Sequence, residues 1–226
     1  MTSNYTYSFF RIPKTDGIDI SAQKYRDLRL KALQASPHSF SSTYAIEAAF
    51  TDTEWIERLT LPGREVFICA ATPVNHDQSR PDDIQWIGQV TLRGPASSAD
   101  FELPAEAAQP PQKSDDEEER WQMLSLFTLP DHRGQGLGGK LCKEAIEYLR
   151  SYQSSPPNIQ VRLIVKAGND VTVELYRRLG FIHAGKATLV EAMIANGDEH
   201  LIPKDSIPPR FFERGGLIML SRISRS

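Results

Sequence analysis

Apolar residues recur along this chain in two rhythms, one for strands and one for helices. Tyr7 to Ile12 predicts a first strand. Tyr25, Leu28, Ala32 and Leu33 fall on one face of a helix that Ser21 is placed to cap and that runs to about Ala35, where Pro37 stops it. Ala45 to Leu61 predicts a second helix that turns Trp55, Ile56 and Leu59 inward. Val66 to Ala71 and Trp86 to Leu92 predict strands, with a polar, turn-rich loop from Pro73 to Asp83 between them. Gly94 to Arg120 is rich in Ala, Pro, Ser and acid and almost free of large apolar residues. It predicts a flexible insertion. An apolar strand then ends at Pro130, and a glycine-rich turn leads into a helix carrying Leu141, Ala145, Ile146 and Leu149 to about Tyr152. Ile159 to Val165 is the next strand, and a helix and a strand follow it, with Phe181 near their junction. Gly185 to Arg214 is an excursion with a short helix near Val190 to Ala195, and Leu217 to Ile223 returns as a last strand.

This order predicts an α/β or α+β fold with a mixed, mostly antiparallel central sheet flanked by helices. Met123 to Val165 reads as one βαβ unit, so its two strands should be parallel and its crossover right-handed. At 226 residues the chain fits a single domain, 1–226, with the insertion at 94–120. No internal repeat is visible.

The turn before the long helix is where chemistry concentrates. Arg133, Gly134, Gln135, Gly136, Leu137, Gly138, Gly139 and Lys140 follow one another there. The glycines leave the backbone bare at a helix start, where exposed N–H groups and the positive end of the helix dipole meet. That combination predicts a phosphate or pyrophosphate site. Three phosphate-binding patterns overlap on it. Gly134-x-Gly136-x-x-Gly139 fits a dinucleotide fingerprint, which wants an acid about 20 residues on to hold a ribose. Arg150 to Asn158 holds no acid, and the next strand ends in Lys166. Gly134 to Lys140 nearly fits a P-loop, but Leu141 stands where a magnesium-holding hydroxyl is required. Arg133-x-x-Gly136-x-Gly138 is contradicted by nothing in the chain.

That third pattern resembles the acetyl-CoA loop of the GNAT-type N-acetyltransferases. The resemblance takes in Leu126 to Pro130 as the family's fourth strand, Ile159 to Val165 as its fifth, and Asn169 with Glu174 to Phe181 as the helix and strand beyond, over about residues 121 to 183. A weaker likeness covers Tyr25 to Leu59, where Leu28 to Leu33 and Ser36 to Phe40 look like the first helix and the turn after it. The resemblance implies an acetyl-CoA-binding core in which the two parallel strands splay apart. It implies that the pantetheine arm lies along Leu126, Phe127 and Thr128, that Arg133 and Lys140 meet phosphates, and that Asn169 contacts the cofactor. It also puts Tyr176 beside the sulfur. A phenol, pKa about 10, can protonate a departing thiolate, so Tyr176 is the expected catalytic acid. Asn169 can equally cap the helix that carries Tyr176, and Gly180 should close that helix.

The expected activity is direct acetyl transfer from acetyl-CoA to a primary amine of unknown identity. The alternative is a CoA-binding sensor without turnover. It draws support from the fourth strand, Met123 to Thr128, which lacks the carboxylate that many relatives use as a base. Glu47, Glu65, His183 or water remain for that role. A P-loop hydrolase is the remaining rival, and Leu141 argues against it.

Composition narrows the rest. A formal charge of −3 argues against a nucleic-acid partner. Cys69 and Cys142 lie in apolar patterns and read as small buried hydrophobes, with no metal site and no paired base. The acidic run Asp115 to Glu119 reads as a solvated loop or a lure for a basic substrate. The first residues do not resemble a signal peptide, and no apolar run of 18 residues exists to span a membrane. The reading is therefore a cytoplasmic enzyme, monomer or homodimer, with acetyl-CoA and an amine as its partners.

Overall fold

A computed structural model describes residues 4–74, 83–204 and 206–225. The expected loop from Pro73 to Asp83 lies mostly outside them. The elements are β1 (Tyr5–Arg11), α1 (Ile18–Ala35), α2 (Tyr44–Ala48), α3 (Asp52–Thr60), β2 (Arg64–Pro73), β3 (Gln85–Ala96), α4 (Ser98–Phe101), β4 (Glu118–Thr128), α5 (Leu137–Tyr152), β5 (Asn158–Lys166), α6 (Asp170–Arg178), β6 (Ile182–Ala187), α7 (Leu189–Asn196) and β7 (Gly216–Ser224). The strands form a seven-stranded mixed sheet in the order β1-β2-β3-β4-β5-β7-β6. β1–β2, β5–β7 and β6–β7 are antiparallel, and β4–β5 is parallel, as a strand–helix–strand unit requires.

Two helix boundaries differ from expectation. α1 opens one turn before Ser21, with Gly17 at its N-cap in a left-handed conformation (φ 67°) and no side-chain cap. The amide of Ser21 donates to the carbonyl of Gly17, so Ser21 lies inside the helix. The helix expected over Ala45 to Leu61 is two helices. Thr51 starts the second with a capping box: its hydroxyl accepts from the amide of Glu54, and the Glu54 carboxylate accepts from the amide of Thr51 at 2.6 Å. A reciprocal pair of this kind satisfies two helix-end donors, which favours a fresh start over a continuous helix.

Contacts group the chain into two units. The first comprises Met1–Thr91 and Ser125–Ala145, the second Leu92–Leu124 and Ile146–Ser226. The core of the first is Tyr25, Leu28, Ala32, Trp55, Leu59, Ile68 and Phe127. Trp55 is its centre, with ring centroids 6.0 Å from Tyr25 and 5.5 Å from Phe50. β3 approaches the end of β4 closely. A Cβ at Gly88 would meet Thr128 Cγ2 at 2.9 Å and the Phe127 carbonyl at 3.1 Å, so only glycine fits there.

In the second unit, β3 runs on to Ala96 and β4 begins at Glu118, and the segment between them is anchored. Ser97 caps α4, and Phe101 at its end is 1% exposed. The Arg162 guanidinium lies 3.8 Å from the Phe101 ring centroid. Arg162 also donates to the Phe101 carbonyl at 2.5 Å, to Gln109 Oε1 at 2.8 Å and to Gln122 Oε1 at 2.7 Å. Ala107 is fully buried, and a Cβ at Gly185 of β6 would collide with its carbonyl. The composition of 94–120 concealed these anchors because one aromatic ring under a guanidinium needs no apolar neighbours in sequence.

The acidic run is not one solvated stretch. Glu118 and Glu119 belong to β4, are 0% and 4% exposed, and pair with Arg222 at 3.0 Å and Arg225 at 2.7 Å. Asp115 pairs with Arg120 and accepts from the amide of Ser98.

Candidate active site

The glycine turn lies in the first unit. β4 ends at Thr128, a short 3-10 turn spans Pro130–His132, and α5 opens at Leu137. The amide of Leu129 donates to the Ile87 carbonyl at 2.8 Å, which ties the strand end to β3. His132 is 6% exposed; its Nδ1 lies 3.1 Å from the Tyr7 hydroxyl, and its ring stands edge-on to Tyr5. The turn that leads into the loop is therefore pinned from β1.

Beyond it the loop's glycines fill the requirements of an anion cradle. Gly134 (φ 81°) and Gly136 (φ 72°) are left-handed, where other residues are strained. A Cβ at Gly134, Gly136 or Gly139 would meet no atom within 4 Å, so the backbone there faces open space. Leu137 and Leu141 face inward at 3% and 0% exposure, leaving the helix start to offer backbone groups. Gln135 and Lys140 are exposed. Arg133 folds back over the strand end: its Nε donates to the Thr128 carbonyl at 3.0 Å, and its guanidinium lies 5.5 Å from the Phe127 centroid. Phe127 is 5% exposed and packs tilted against Phe40 at 6.2 Å, while Leu126 and Thr128 are half-buried.

Gly139 offers a clean test of the cradle, since it lies inside the helix without a positive φ. Gly139→Val should leave the melting temperature unchanged or slightly higher, because Val is the better helix residue. CoA affinity by calorimetry should fall at least about tenfold, which is 1.4 kcal/mol. Unchanged affinity would remove this loop from the site.

Asn169 and Tyr176 lie in the second unit. Asn169 caps α6, its side chain accepting from the amide of Thr172 at 3.4 Å. Tyr176 is 6% exposed, with its ring edge-on to Phe181 at 5.7 Å. Gly180 (φ 88°) closes the helix as expected. Its amide donates to Arg177 and that of Phe181 to Tyr176, a Schellman ending.

The carboxylates considered as bases are held in ion pairs. Glu47 is fully buried, and both of its oxygens accept from Arg29, at 2.7 and 2.9 Å. Burial pushes its pKa up, but the Arg29 hydrogen bonds and charge, with Arg58 beside them, outweigh this and hold it below the usual 4.5. A folded pKa below the unfolded one makes the pair's contribution complete above that value and lost as pH falls through the depressed one. Such a carboxylate is a weak base. Glu65 is 6% exposed and receives Arg11 and Lys14, each at 2.7 Å. His183, in the second unit, is exposed on β6 opposite Met219. The sequence reading missed the Arg29–Glu47 pair, for which helix periodicity held no signal beyond an arginine on an apolar face.

Residues 99–181 match the model of the acetyltransferase (GNAT) family. No curated protein sequence matches the chain. Among solved structures, the fold is similar to that of Arabidopsis thaliana NAA60 in complex with a bisubstrate analogue, at 16% identity over 97% of this chain and 100% of that one (TM-score 0.56). The same protein with acetyl-CoA aligns at 16% identity over 96% and 99% (TM-score 0.54). A GNAT-family acetyltransferase from Streptococcus pneumoniae aligns at 13% identity over 97% and 100% (TM-score 0.53).

Proposed function

We propose that this chain, which matches the GNAT acetyltransferase family model over residues 99–181, is an N-acetyltransferase that moves the acetyl group of acetyl-CoA directly to a primary amine. The observation that carries the co-substrate is the open glycine cradle at the start of α5, where Gly134, Gly136 and Gly139 leave room for a pyrophosphate against backbone N–H groups. Acetyl-CoA supplies an activated thioester. The chain's own residues bind and orient it. The loop from Arg133 to Lys140 holds the phosphates, Leu126 to Thr128 align the pantetheine arm, and Asn169 fixes the helix that carries Tyr176. Anchoring the two ends of the donor is catalysis by positioning. Tyr176 donates the proton that the sulfur takes up. Neither cysteine forms an acyl-enzyme. Burial pushes the thiol pKa of both Cys69 and Cys142 up to about 12, and each is fully buried.

The rival, a CoA-binding sensor without turnover, gains from the ion-paired state of Glu47 and Glu65. One pair of measurements separates the readings. Acetyl-CoA and CoA at a hundredfold excess over Kd should stabilise the fold by about 2.7 kcal/mol, and ATP with magnesium should do far less. The parent should also release CoA thiol with at least one member of an amine panel, and its own two neutral thiols will stay silent in that assay. Stabilisation by CoA without thiol release from any amine hands the lead to the sensor. Stabilisation by ATP–magnesium alone defeats both.

A further inference from the structure

Ser125 has a left-handed backbone (φ 59°) inside β4. A residue with a Cβ adopts this conformation in mid-strand only when its surroundings impose it. Two side chains converge on it. Gln89 of β3, fully buried, donates Nε2 to the Ser125 carbonyl at 3.3 Å. Arg29 of α1 donates Nη1 to the Ser125 hydroxyl at 3.4 Å. Arg29 is itself fixed. It is 2% exposed, forked on both oxygens of Glu47 from α2, and its guanidinium lies 4.6 Å from the Phe40 ring centroid. A buried ion pair adds little net stability over an apolar pair of the same volume. Its use here is geometric, since it delivers one guanidinium edge to one strained residue.

We propose that Arg29 and Gln89 are positioning residues that hold the left-handed turn at Ser125 and so set the direction of the strand edge from Leu126 to Thr128. A single left-handed residue in one strand redirects the peptides that follow it. The inference rests on the acetyl-transfer reading, in which that edge aligns the acyl donor. Binding strength stays with the glycine loop; the turn at Ser125 governs how the bound donor is aimed.

The test is suppression by glycine, which adopts this backbone unaided. Gln89→Leu removes one hold, and the paired change R29Q/E47Q removes the other by taking out both charges of the buried pair, while Arg58, 12% exposed and 3.8 Å from Glu47, loses that partner in the same variant. Each should lower kcat about tenfold, as misaligned reactants do, with the Kd for CoA changed by less than about threefold. Adding Ser125→Gly to either should restore kcat to within about threefold of the parent. In crystal structures, residue 125 should leave the positive-φ region in both unsuppressed variants. Restoration by S125G cannot follow from a general loss of stability, so a lesion that S125G leaves as deep overturns the proposal. So does a φ at 125 that stays near 59° in the variants. If R29Q/E47Q does not fold, Gln89→Leu, which leaves the ion pair whole, decides alone. A parent that binds CoA but acetylates no amine defeats the transferase reading only, and φ at 125 then decides this one.

Discussion

Phe in place of Tyr176 lowers the kcat of acetyl transfer by about 10²–10⁴-fold, the usual worth of a positioned general acid. A thiolate is a fair leaving group, so the smaller figure is the expected one. The ring is 94% buried by its 6% exposure and packs edge-on against Phe181. Phe keeps that packing, and the loss of one hydroxyl with its hydrogen bonding costs about 1 kcal/mol. For a chain of this size that is a fall of roughly 2–4 °C in melting temperature. The affinity for CoA should be unchanged. The comparison of interest is therefore a large fall in turnover against a small fall in stability, measured on the same preparation. Turnover at the parent rate would reduce Tyr176 to a packing residue and leave the proton to water.

The largest effect on stability is expected far from the glycine loop in sequence. Phe101→Ala removes a ring that is 1% exposed and strips the Arg162 guanidinium of the face it rests on. Truncating a buried Phe costs about 3–5 kcal/mol, or roughly 6–20 °C in melting temperature at this chain length. The loss is deepened through Arg162, whose pKa burial pushes down, with the charge of Arg93 beside it. Its charge is tolerated because Gln109, Gln122 and the Phe101 carbonyl accept from it. Thermal melting of the Phe101→Ala protein checks this directly, and a shift within about 2 °C would mean the segment contributes nothing to the core.

The two regions differ in how far the sequence disclosed them. The strand, glycine turn and helix from Met123 to Tyr152 were legible because their determinants are local: a short apolar run, bare backbone, then a 3.6-residue apolar stripe. The parallel pairing of β4 with β5 followed from that order and is present from Glu118↔Asn158 to Gln122↔Arg162. The break between α2 and α3 was written in the sequence as Thr51-x-x-Glu54, but the apolar spacing of Trp55, Ile56 and Leu59 masked it. The anchors of 94–120 and the turn at Ser125 had no local signature. Phe101 depends on Arg162, 61 residues away, and Ser125 depends on Arg29, 96 residues away. Buried arginines and glutamates in strands, such as Arg120 and Glu118, read as solvent-facing until their partners are in place.

Both cysteines of the chain are fully buried with thiol pKa values near 12, which makes the natural protein almost inert to maleimides at neutral pH. A single cysteine introduced at exposed Gln135 would then be the one fast-reacting thiol on the molecule. A fluorophore attached there reports from the rim of the glycine loop without any other cysteine having to be removed. Occupancy of the loop could be followed as an optical signal, in real time and independently of any acceptor.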